Sequence, residues 1–171
     1  MKNLILKYGL ISGAVGAVMM FCMALYLGND PGRFSHGEVF GYTGIVLSML
    51  FVFFGVRAYR DQVASGVISF GKAFQVGLMI TLISCAIYVA TWFVVSNTLM
   101  TDFMDKYSEF MIQQLQAGGA SAEKIAEKTA EMEQFKEMYK NPLVKIAFTF
   151  LEPFPVGLAV TLLSAAILRR S

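Results

Sequence analysis

The sequence predicts an all-α membrane protein: four transmembrane helices, with an extracytoplasmic amphipathic helical hairpin between the third and the fourth. Three observations lead there. The run from Val39 to Val56 holds eighteen residues without a charge, and at about 1.5 Å rise per residue it covers roughly 27 Å, close to the ~30 Å hydrocarbon core of a bilayer. Three more apolar runs lie along the chain, one before this run and two after, and the 15% of charged residues cluster between them. A hydrophobic share of 56% and a mean hydropathy of +0.59 are too high for an ordinary soluble domain. One helical bundle spanning residues 1–171 is expected, rather than two domains.

The first span, about 8–27, is twenty residues without a charge, preceded by Lys2 and Lys7. It is long for a cleavable signal segment and no small-x-small site follows it, so a retained helix is expected. Gly9 and Gly13, like Ser12 and Gly16, place small residues four apart, where a second helix can approach closely. The stretch from Gly28 to Gly37 then reads as a turn carrying the only histidine, His36, as a solvated loop residue. The second span, about 39–56, has Gly37, Gly41 and Gly44 at one end for tight packing and Glu38 at its boundary. A connection from Arg57 to Gly71 follows, with Tyr59 and Phe70 as interfacial anchors. Its Arg57, Arg60 and Asp61 read as a stop-transfer flank, with a functional site as the alternative.

The third span, about 73–96, lies in an uncharged stretch from Ala73 to Thr101, and Tyr88 and Trp92 suit its far interface. The polar region of about 101–141 breaks at Gly118-Gly119 into two helices. In the first, Phe103, Tyr107, Phe110, Met111 and Leu115 form an amphipathic stripe. The second starts at Ser121 as N-cap and carries Lys124–Glu127, Lys128–Glu131, Glu133–Lys136 and Glu137–Lys140 pairs, with Ile125, Met132, Phe135 and Tyr139 as its apolar side. Such a hairpin packs on its own spans, on the membrane surface or on a partner; packing on its own spans is the simplest. Asn141-Pro142 ends it. The fourth span, about 146–168, closes at Arg169 and Arg170 and contains Glu152-Pro-Phe-Pro155.

Four spans put both termini on one side. That side holds Lys2, Lys7, Arg57, Arg60, Lys72, Arg169 and Arg170, whereas the first connection has only Arg33 and the hairpin carries eight acids against five lysines. The positive-inside rule then makes both termini cytoplasmic and puts the hairpin outside.

Few residues suggest chemistry. A net charge of +2 comes from membrane-flanking positions, and no basic aromatic stripe points to nucleic acid. No HExxH, paired-cysteine, P-loop or GxSxG motif occurs, so no catalytic, cofactor-binding or metal residues and no cofactor are assigned. Cys22 and Cys85 read as small apolar side chains at packed positions. Met19, Met20, Cys22 and Met23 would suit Cu(I), but methionine is also ordinary membrane filler. Glu152 stands out, because an ionisable group at bilayer depth costs about 2.5–3.5 kcal/mol at the centre. Beside Pro153 and Pro155 it either caps or kinks the helix, or marks a broken helix that binds a proton or cation.

Several segments resemble an uncharacterised bacterial membrane family, domain of unknown function 4199 (DUF4199). They are KYGLISG (Lys7 to Gly13), EVFGY (Glu38 to Tyr42), FFGVRAYRD (Phe53 to Asp61), GVISFGKAFQVGL (Gly66 to Leu78) and EPFPVG (Glu152 to Gly157). The resemblance implies a small integral protein of the inner (plasma) membrane of Gram-negative bacteria, and no activity. Together these readings lead to a non-enzymatic packing or assembly component in the lipid bilayer, partnered by itself or by another membrane protein. The alternative is a small oligomeric transporter or channel using Glu152, with Glu38; Arg57, Arg60 and Asp61 complete the candidate polar residues.

Overall fold

The computed structural model describes residues 2–27 and 33–170, the side chain of Ser35 excepted. Residues 28–32 of the expected first turn lie outside the described residues. The helices are α1 (Lys2–Leu27), α2 (Phe34–Gln62), α3 (Phe70–Thr98), α4 (Phe103–Ala117), α5 (Ala122–Tyr139), α6 (Pro142–Leu151) and α7 (Pro153–Leu168). Among the described residues there is no strand beyond one isolated antiparallel bridge, Ile68 with Arg170. The segments α1, α2, α3 and α6–α7 are long and apolar enough to cross a membrane. In lipid, a helix satisfies its own backbone polar groups, which is why the apolar runs take this form.

The helices outrun the apolar stretches. His36 sits in the first turn of α2 rather than in a loop, and Arg57, Arg60 and Asp61 ride its last turns. Charged side chains do not stop a helix, and no glycine or proline intervenes before Gln62. The chain turns where Ser65 and Gly66 both adopt positive φ, 52° and 86°. Across that turn, Ile68 and Arg170 exchange backbone hydrogen bonds of 3.2 and 3.0 Å, fastening the end of α7 to the α2–α3 connection.

Around the bundle the order is α1, α2, α7, α3, with α2 and α3 also touching across the middle. Small residues set the close approaches. Gly9 and Gly13 of α1 face Ile83 and Ile87 of α3, while Gly37, Gly41 and Gly44 of α2 face Leu27, Met23 and Met19 of α1. Gly77 and Gly157 interlock with Thr161 and Thr81. Hydroxyls between the helices are satisfied internally: Ser12 Oγ donates to the Ser48 carbonyl oxygen at 2.7 Å and shares a hydrogen bond with Ser84 Oγ at 2.9 Å. Thr81 and Thr161 Oγ1 lie 3.1 Å apart. Leu10, Val18, Leu25, Leu50, Phe54 and Leu163 point outward as an apolar belt, the surface that lipid covers.

These contacts also give the directions. α1 runs antiparallel to α2 and parallel to α3, and α7 runs antiparallel to α3. One end of the bundle therefore gathers Lys2, Lys7, Arg57, Arg60, Lys72, Arg169 and Arg170. The α4–α5 hairpin lies against the other end, where Phe34 meets Phe103 and Phe110, and Phe135 meets Phe148. The hairpin turns at Gly119, φ 71°. Ser121 caps α5 by accepting from the Lys124 N–H at 3.3 Å, and Asn141 caps α6 by accepting from the Leu143 N–H at 3.0 Å. Of the expected pairs along α5, Lys128–Glu131 and Glu137–Lys140 form, whereas Lys136 reaches across to Asp105 of α4. Cys85 is buried, as expected, but Cys22 is exposed, because it lies on the face of α1 turned away from α2 and α3.

Candidate functional site

Glu152 stands between α6 and α7, where the prolines interrupt the hydrogen-bond ladder. Its backbone is helical (φ −69°, ψ −58°), so the chain passes through without a loop. Glu152 takes the N-cap position of α7 with Pro153 in its first turn, as expected, but its side chain makes no capping hydrogen bond. A cap serves the N–H groups at the second and third helical positions, and the third is Pro155, which has none. The carboxylate instead accepts a hydrogen bond from the Tyr88 hydroxyl of α3 at 3.0 Å.

That hydrogen bond lies on the wall of a cavity of about 400 Å³ between the spans and the hairpin. The ends of α1 and α2, the second half of α3, both hairpin helices and α6 all contribute walls. α7 packs on both α2 and α3, but past the break α6 keeps to α3 and α5. The space opens where α6 parts from α2, and the α4–α5 hairpin forms one wall of it, leaving it half-open. Glu38 and Glu152 both line it, among Tyr42, Tyr88, Trp92, Tyr107, Tyr139 and apolar residues.

Of the five polar residues singled out by sequence, the fold therefore brings two together. Arg57, Arg60 and Asp61 are at the opposite end of α2, about 28 to 35 Å from Glu38 at 1.5 Å per residue. There Asp61 is held by Arg60 at 2.7 Å, with Arg57 at 3.8 Å. Exposed pairs of this kind contribute little to stability.

The aromatic hydroxyl and indole groups are what sequence reasoning missed. Trp92, expected at the interface, is buried and donates its Nε1–H to the Tyr139 hydroxyl at 2.7 Å, joining α3 to α5. Of the two anchors expected in the second connection, Tyr59 is also buried, whereas Phe70 is exposed. Burial pushes the Tyr139 hydroxyl above its ordinary pKa, against hydrogen bonds from Trp92 and Thr149 that lower it. Burial, followed by the nearby Glu38 carboxylate, does the same to Tyr107. The spacing of Tyr88 and Trp92, one turn apart on α3, was the available signal.

Chemically, the site offers two carboxylates and several phenols in a largely apolar, half-open cavity. Among the described residues no group of three or more His, Cys, Asp or Glu side chains is placed to hold a metal. Over residues 7–170 the chain matches the family described as "Protein of unknown function (DUF4199)", and it belongs to that family. No curated protein and no solved structure matches it.

Proposed function

Taking membership of DUF4199 as the premise, we propose that this multi-pass membrane protein is a non-enzymatic binding component that holds a small molecule in the cavity beneath its hairpin. One observation carries the reading: about 400 Å³ of space coincides with the two carboxylates and the aromatic walls. Largely apolar cavities of this size with a few convergent polar groups are where small ligands bind. The described lining contains no serine, cysteine, histidine or lysine, so the commonest nucleophile–base pairs do not occur in it.

The basic end of the bundle supports a cytoplasmic location for both termini and an extracytoplasmic hairpin. Family resemblance supports the inner membrane of a bacterium. The bilayer is the first partner. Association with a second copy or another membrane protein would use the outward apolar faces, since the glycines that suggested assembly pack within the chain.

A second reading, transport, is favoured by the interrupted helix at Glu152 beside the cavity. Four spans are few for a transporter, so this reading needs an oligomer.

Thermal unfolding of the detergent-purified protein against a panel of cationic, neutral and anionic small molecules tests binding. Gly41→Leu serves as the filled-cavity control, because a Cβ there meets only Met23 Sδ at 3.5 Å. At least one class of molecule should stabilise the parent chain and lose its effect in the filled variant. Equal responses from both chains across the panel would defeat the proposal.

A further inference from the structure

We infer that the cavity beneath the hairpin takes an organic cation, an ammonium group carried on an apolar body. This rests on the binding reading and names its ligand class. The lining is electrostatically one-sided: Glu38 and Glu152 are its carboxylates, and no lysine, arginine or histidine lines it among the described residues. Neither carboxylate forms an ion pair with a described residue. Several cations on the elements packed around the cavity are engaged with other groups. Lys106 binds Asp102 at 2.8 Å and Lys128 binds Glu131 at 2.9 Å. Lys145 sits 5.6 Å from the Phe93 ring centroid and 5.4 Å from that of Tyr139. Arg33 donates to the Tyr26 carbonyl oxygen at 2.9 Å.

Both carboxylates are exposed on the walls of a half-open cleft, and a cleft lined by one sign of charge with apolar walls focuses its field and draws in positive charge. The remaining walls narrow the class. Trp92, Tyr88, Tyr107 and Tyr139 supply aromatic rings, the groups that recognise alkylated ammonium. The volume of about 400 Å³ suits a drug-sized molecule rather than a bare ion. The ammonium arrives either on a free amine or on a lipid headgroup, and both present the same chemistry to the two glutamates.

Trp92 is the only tryptophan in the chain and lines the cavity, so its fluorescence reports occupancy. The experiment titrates the full chain in phosphatidylglycerol nanodiscs with benzyltrimethylammonium, its neutral isostere neopentylbenzene, and benzylsulfonate. The cation should bind tighter than both others. Glu38→Gln and Glu152→Gln should each weaken it about tenfold, as loss of one charged contact does, without changing the response to neopentylbenzene. Glu152→Gln keeps an oxygen for the Tyr88 hydroxyl, so it leaves the fold intact. Adding phosphatidylethanolamine identifies the source: competition with the probe assigns a lipid headgroup, and an unchanged affinity assigns a free cation. Equal binding of the cation and its isostere, indifferent to both substitutions, overturns the cation inference and leaves the binding reading standing. No response to any of the three probes, in nanodiscs or detergent, overturns both.

Discussion

The two halves of the bundle use opposite means to set the distance between helices. In the half nearer the basic end, glycine and hydroxyl residues let backbones meet. A Cβ on Gly13 would fall 2.4 Å from Ile87 Cδ1, and one on Gly157 would fall 2.4 Å from Thr81 Cγ2. No space remains there, and the buried serines and threonines pair with one another or with carbonyls. In the half under the hairpin, α1 and α2 still touch through Gly37 and Gly41, but aromatic rings stand between the other helices and a cavity opens. The ionisable groups divide the same way. Arg57, Arg60 and Asp61 satisfy one another at the basic end, whereas Glu38 and Glu152 line a half-open cavity. Close packing leaves no chemistry to do; the open half holds both carboxylates.

The largest expected effect breaks the tight half. Gly157→Leu forces a side chain into Thr81 and the Met49 sulfur, where overpacking should cost about 3 kcal/mol. Thermal unfolding in detergent should show a large loss. The same substitution at Gly41, whose nearest neighbour is one flexible sulfur at the cavity wall, should cost less than about 1 kcal/mol. Equal losses at the two positions would mean that the halves do not differ in packing.

A smaller effect follows from loosening the hairpin. Trp92→Phe keeps the ring contact with Phe103 but deletes the hydrogen bond to Tyr139. The expected cost is about 1 kcal/mol, concentrated in the hairpin. Amide exchange should therefore rise in α4 and α5 while the buried segments of α1 and α3 stay protected. A uniform rise over all helices would show that hairpin and spans unfold together.

How far this division could be read in advance depends on the range of each contact. The spans were legible because an uncharged run long enough for a bilayer has one stable solution. Helix ends were less so: Arg57 looks like a loop residue by polarity and His36 by the glycines around it as well, yet α2 runs through both. The glycine faces were visible at Gly37, Gly41 and Gly44, though not that α1 occupies them. Ser121 was legible as a cap because capping is local. The cavity was not, since the Tyr88–Glu152 and Trp92–Tyr139 contacts join residues 64 and 47 positions apart. Their polar tips look like interface anchors until the fold turns them inward. Glu152 was noticeable for its cost alone; its partner was not.

The next effect contrasts the thiols, one on each kind of surface. Cys22 is exposed on the outward face of α1 and Cys85 is buried between helices. A membrane-permeant maleimide should modify Cys22 in the native protein and reach Cys85 only on unfolding, as mass spectrometry of the two peptides would show. Early modification of Cys85 would mean that the tight half opens more readily than its packing implies.

The smallest effect lies in the exposed charges of the hairpin and separates them from those of the cavity. The Asp105 carboxylate, hydrogen-bonded to Lys136, raises the lysine above its ordinary value of 10.5. A raised pKa in the folded state stabilises the hairpin fully below the unfolded value, and the stabilisation is lost as pH climbs through the folded one. The protection that Lys136 adds to α4 and α5, read as the difference in proteolysis between the parent chain and Lys136→Ala, should therefore be small and constant over about pH 6 to 9. It should vanish only above 10.5. A change in that difference near neutrality would show that the pair is coupled to other titrating groups. The hairpin charges would then not be self-contained pairs like those at the basic end, and their contrast with the cavity carboxylates would fail at this point.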